Sequence, residues 1–102
     1  MKADTKEKIL SIELSSECTI VCAEADTEKI SSLVSNDLEQ IDILARGVED
    51  MDTAYLQMLL SLRAFADREK ISFHVSEISP QAQKLCELYG VKFETRKLKL
   101  KT

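Results

Sequence analysis

Apolar and polar positions change rhythm several times along this chain. Leu10, Ile12 and Leu14 alternate with Ser11 and Glu13, and a second alternation runs from Thr19 to Ala23. The pattern predicts two strands, Ile9 to Leu14 and Thr19 to Ala23, around a short turn at Ser15-Ser16-Glu17. Ile30, Leu33 and Val34 then recur at helical spacing behind Asp26, a residue suited to a helix N-cap. Gln40 to Ala45 returns to a period of two, with Ile41 and Ile43 on one face and Asp42 on the other.

From Thr53 to Asp67 the period lengthens to that of a helix. Tyr55, Met58, Leu59, Leu62, Phe65 and Ala66 make one wide apolar face, opposite Gln57, Ser61 and Arg68. Leu56 and Leu60 fall between the two, either as the margin of the core or as an apolar strip for a partner. Ile71 to Val75 reads as a strand. Ser79-Pro80 opens another helix, a hydroxyl cap followed by the proline that the first helical position tolerates. Ala82, Leu85, Cys86 and Tyr89 give that helix a buried side, and Gly90 stops it. Lys97 to Lys101 alternates as a terminal strand. The order ββαβαβα implies an α/β fold whose sheet is at least partly parallel and covered by helices.

At 102 residues there is room for one domain and one core. The three cysteines, Cys18, Cys22 and Cys86, lack metal-ligand spacing, which suggests reduced, mostly buried thiols. Neither a secretory segment nor a span of membrane-crossing length is visible, so the expected location is the cytoplasm. Charge is unevenly placed. Residues 92–102 hold five cations and one acid, and the remaining residues carry the excess of acids behind the formal charge of −4. An acidic body argues against a nucleic-acid surface, and the basic segment at 92–102 reads as a solvated tail or edge strand.

Gly47-Val48 and then Asp52-Thr53-Ala54-Tyr55-Leu56 follow a hydrophobic strand, and Leu88-Tyr89-Gly90-Val91 closes the last helix. These stretches resemble the STAS domain signature, a family that includes bacterial anti-sigma factor antagonists. The resemblance implies a STAS-like fold over residues 1–102, with a four- to five-stranded mixed sheet and three or more helices packed mainly on one face. It also implies no catalysis, no cofactor and a protein partner at the loop before the second helix. In signalling members a kinase phosphorylates a hydroxyl there, which makes Thr53 the candidate acceptor and an anti-sigma factor or kinase the expected partner. Asp-Thr-Ala also resembles the cytosolic STAS subunit of bacterial phospholipid-transport ABC systems, which would make the partner a transporter ATPase. A second copy of the chain, docked through the Leu56–Leu60 strip, is a third candidate.

Three residues depart from the usual family pattern. Ala54 stands where the commonest acceptor lies, Tyr55 where a glycine is normal, and Leu44 where many members carry an aspartate. A tyrosine ring beside Thr53 would be expected to crowd a kinase. The predicted contact surface is Glu49, Asp50, Asp52, Thr53 and Ala54, with Tyr55, Leu56, Gln57 and Leu60 behind them.

The physical case for this surface is that a helix N-terminus presents unpaired N–H groups and a positive dipole end, which favour a phosphate. The plainer reading of Thr53 is a helix cap. Glu49, Asp50 and Asp52 form a solvated acidic turn with too few fixed oxygens for Mg²⁺. His74 has no nucleophile or second ligand-rich segment near it in sequence and reads as a strand residue. No phosphate cradle or Ser/His/Asp arrangement points to an enzyme.

Overall fold

The computed structural model describes residues 1–93. In chain order its elements are β1 (Lys2–Lys6), β2 (Ile9–Glu13), β3 (Glu17–Cys18), α1 (Ile20–Leu33), β4 (Gln40–Leu44), β5 (Asp50–Met51), α2 (Thr53–Arg68), β6 (Ser72–Ser76) and α3 (Pro80–Leu88). The main sheet runs β1-β2-β4-β6, with β1 antiparallel to β2 and the other three strands parallel. A separate two-stranded bridge joins β3 to β5. The terminal strand expected at Lys97 to Lys101 lies outside the described residues.

One face of the sheet is apolar because each strand alternates. Leu10 and Ile12, Ile41 and Ile43, and Phe73 and Val75 all point to it and are buried. Ile30 from α1, Tyr55, Leu59, Leu62 and Ala66 from α2, and Ala82 from α3 complete the core. Polar positions in the same strands form a row on the opposite face, where Ser11 pairs with Asp42 and Asp42 with His74. The helices therefore pack on one face, as the alternation requires.

Three local readings need correction. The first concerns β1, whose sequence KADTK has no apolar alternation because it is an exposed edge strand. Its register with β2 is set by the two-residue turn Glu7-Lys8, both with positive φ (53° and 67°), the backbone that a tight hairpin demands.

The second concerns Thr19 to Ala23, which is the start of α1 rather than a strand. Thr19 is the N-cap, its hydroxyl accepting the Val21 N–H at 3.3 Å, so Asp26 lies inside the helix and caps nothing. The third concerns α3. Its Ser79 cap accepts the Ala82 N–H at 3.2 Å, and Gly90 adopts φ +68° after the last turn, both as predicted. Tyr89, expected on the buried side, is the C-cap instead and stays 54% exposed.

Candidate functional site

The loops leading into α1 and α2 are stitched together by backbone bonds. Glu49 and Asp50 N–H groups both donate to the Ser16 carbonyl, at 2.8 and 3.0 Å, and Asp52 N–H donates to Cys18 at 3.1 Å. This bridge places Asp52 between the first turns of two helices. Its Oδ1 accepts the Tyr55 N–H at 3.0 Å and caps α2, and its Oδ2 accepts the Ile20 N–H at 2.8 Å from the first residue of α1. One carboxylate thus satisfies donors at two helix N-termini, where negative charge is also favoured by both dipoles.

Capping by Asp52 relieves Thr53 of that task. Thr53 is the first residue of α2, and its hydroxyl donates to the Tyr89 hydroxyl at 3.1 Å, on the surface between α2 and the end of α3. The reading of Thr53 as a cap is corrected accordingly: the residue before it holds the stronger acceptor, in extended backbone (φ −110°, ψ 176°) aimed back at the helix.

The other predicted contact residues divide. Glu49, Asp50 and Gln57 are exposed, and Asp52, Ala54 and Leu60 are half-buried. Tyr55 and Leu56 are fully inside, at 0% and 2% exposure. The Tyr55 ring therefore does not stand beside Thr53. It enters the core, and its hydroxyl donates to Asp26 Oδ2 at 2.6 Å. Burial, and next the Asp26 carboxylate that accepts its proton, push the phenol far above its ordinary range.

Burial likewise raises Cys18, to about 11, against a partly compensating hydrogen bond with Tyr55. Cys86 is also raised by burial. These thiols belong to the packing and are poor nucleophiles at neutral pH. All three cysteines are free.

Four side chains that the sequence reading missed define the surface around Thr53. Ile20 and Val21 on the first turn of α1 are 68% and 78% exposed, and Leu88 and Tyr89 at the end of α3 are 74% and 54% exposed. They are the exposed large apolar side chains among the described residues. Both pairs are tied to the α2 tip, one through Ile20 N–H and Asp52, the other through Tyr89 and Thr53. A shallow groove between α1 and α2 continues this surface, lined by Ile20, Ala23, Ala54 and Met58 together with Glu24 and Gln57. Reading Thr19 as a cap would have found the first pair, because it puts Ile20 and Val21 on the first helical turn.

His74 sits in β6 with Nδ1 3.6 Å from Asp42 Oδ1, and Gln40 Nε2 donates to both Asp42 oxygens at 2.9 Å. No cluster of three or more His, Cys, Asp or Glu side chains among the described residues has metal-binding geometry. No helix among them is long and apolar enough to cross a membrane.

Comparison with known proteins bears on the fold and the family. The family model described as STAS domain matches residues 1–102. No curated protein matches the sequence. Among solved structures, the unphosphorylated form of the anti-sigma factor antagonist SpoIIAA superimposes with TM-score 0.76 at 16% identity, covering 87% of this chain and 79% of its own. An anti-sigma factor antagonist from Mycobacterium paratuberculosis gives TM-score 0.76 at 20% identity, covering 87% of this chain and 75% of that one. A sulfate transporter family protein from Wolinella succinogenes gives TM-score 0.69 at 10% identity, over 85% and 70% of the two chains. At these identities the structural likeness is one of fold.

Proposed function

The chain belongs to the STAS domain family, and from that premise we propose that it is a non-enzymatic interaction module of the anti-sigma factor antagonist kind. Its partner is an anti-sigma factor or related kinase, engaged through the α2 tip with Thr53 near the centre. The observation that carries this reading is the group of four exposed apolar side chains, Ile20, Val21, Leu88 and Tyr89, set around that tip. A folded chain gains nothing in water from showing them, whereas a few anchored apolar groups supply most of the energy of a protein interface.

The same geometry supports regulation at Thr53. Its hydroxyl lies on the surface rather than in a cap, and Tyr55 is turned away from it. A phosphate there would add close to two negative charges and bulk between the two apolar pairs, changing what can dock. The test is incubation with ATP and the kinase-like partner that co-purifies with this chain. Mass spectrometry should show one phosphate, on Thr53, and none on a Thr53→Val variant. An unmodified Thr53, under conditions that modify a control antagonist, removes the regulatory half of the proposal.

A second reading has its own support. The fold is shared with the Wolinella transporter family protein, and Asp52-Thr53-Ala54 resembles the STAS subunit of lipid-transport systems. Under that reading the same tip would grip a transporter ATPase. Co-purification separates the two, since an ATPase with a permease indicates transport and a soluble kinase-like protein indicates signalling.

A further inference from the structure

Charge is segregated by position in the fold. Residues 14–28 hold four acids, residues 47–62 three and residues 85–91 one, and none of these segments contains Lys, Arg or His. They are the segments that build the tip around Asp52 and Thr53. Two of the bordering cations are engaged elsewhere. Lys29 Nζ reaches the Met1 carbonyl at 3.4 Å, and Arg46 pairs with Glu77 at 3.4 Å. The tip is thus an apolar surface inside a field of one sign.

Residues 94–102, ETRKLKLKT, have the complementary chemistry: four cations against one acid, interleaved with Leu98 and Leu100. Chain direction bears on which copy they can serve. Tyr89 is at the tip, bonded to Thr53. Four residues later Phe93 lies against Phe73, ring centroids 6.1 Å apart, with the Arg63 guanidinium 5.0 Å from its ring. Arg63 is ten residues along α2 from Thr53, about 15 Å down the helix axis. The chain is therefore leaving the tip by Phe93, the last described residue.

We propose that residues 94–102 of one copy lie across the acidic, apolar tip of a second copy, so that the chain associates head to tail. Leu98 and Leu100 meet the Ile20–Val21 and Leu88–Tyr89 pairs, and the flanking cations meet the surrounding carboxylates. The contact is heterologous, so each copy keeps a free tip or a free basic segment and addition can continue. A nine-residue segment covers far less than the roughly 1,200 Å² of a stable interface, so association is weak and reversible. It is also sensitive to salt. A protein partner at the tip must displace the segment, which makes the concentration of the chain a regulator of its own availability.

Sedimentation velocity of the full chain tests this, over about a hundredfold range of concentration and at low and high ionic strength. At low salt the average mass should climb past that of a monomer as concentration rises, and high salt should return it to a monomer. A tip variant, Val21→Asp, and a segment variant, K97E/K99E/K101E, should each remain monomeric. Mixed in equal amounts they should form a dimer and nothing larger, because each supplies the surface the other lacks. Glu24→Lys, another exposed position on α1, serves as an independent tip variant, and circular dichroism confirms folding.

A wild-type chain that is monomeric throughout, variants that associate like wild type, or a mixture that stays monomeric would each overturn the inference. The proposed function stands apart from these outcomes. A monomeric chain that still binds an anti-sigma factor or kinase loses only the head-to-tail contact.

Discussion

The first turns of α1 and α2 begin alike and end up opposite. Each follows a two-residue strand of the β3–β5 bridge, each has a side-chain cap, and each has an N–H held by Asp52. Yet α2 buries the apolar pair of its first turn, Tyr55 and Leu56, whereas α1 exposes its own, Ile20 and Val21. Position within the turn explains the difference: Ile20 and Val21 are the first two residues of α1, Tyr55 and Leu56 the third and fourth of α2, and Cys22 and Ala23 at the matching places in α1 also pack against the core. The α2 pair works for the fold. The α1 pair adds nothing to the core, and its exposure is what an interaction surface needs.

The shared carboxylate is the point at which this comparison is most easily broken. Asp52→Ala removes the α2 cap and the bond to α1 together, and should cost about 2–4 kcal/mol. A urea unfolding curve with an unchanged midpoint would show that the two helices do not depend on Asp52. Asp52→Asn sharpens the result. Its single carbonyl oxygen can keep the Tyr55 N–H but not also the Ile20 N–H, so about half of that loss should remain. Faster amide exchange should then be confined to the start of α1.

The buried pair can be probed through Tyr55. Tyr55→Phe strands the Asp26 carboxylate and should lower stability by about 1–2 kcal/mol. Its signature lies in pH dependence. Folding raises the Tyr55 phenol above its unfolded value of about 10, so this stabilisation is intact below that pH and is lost as pH rises beyond it. Cys18, raised from 9.0 to about 11, gives a milder loss across that interval. Wild type should therefore weaken steadily above about pH 9, and Tyr55→Phe should keep only the part that comes from the raised thiols, Cys18 and Cys86. Equal alkaline slopes in the two proteins would contradict the assignment.

The smallest effect is expected at the tip itself. Thr53→Val removes an exposed hydroxyl bond to Tyr89 and should change stability by less than about 0.5 kcal/mol. A large drop, read by thermal melting, would mean that Thr53 is structural after all.

The same contrast explains what could be read along the chain. β4, α2, β6 and α3 were legible because their signals are local: alternation at Ile41 and Ile43, the period from Tyr55 to Ala66, and the Ser79-Pro80 start with the Gly90 stop. The start of α1 was not, because β-branched Ile20 and Val21 alternate like a strand. What helps hold them helical is Asp52, 32 residues away. β1 escaped notice as a polar edge, and β5 has only two residues, whose strand character comes from pairing with β3.

At the site, Thr53 and its acids were visible as a cluster. Ile20, Val21, Leu88 and Tyr89 were not, since exposure is a property of how helices pack rather than of any window of sequence. Leu56 was the converse, a candidate contact that packing took inside.

The most direct measurement is the affinity of Val21→Asp for the anti-sigma factor or kinase that co-purifies with this chain, by calorimetry against wild type. Val21 is 78% exposed, so the melting temperature should not move. Putting a charge among the apolar anchors should weaken binding by about thirtyfold or more, near 2 kcal/mol. Equal affinity of the two proteins for that partner would contradict the claim that the outward pair on α1 exists to be bound.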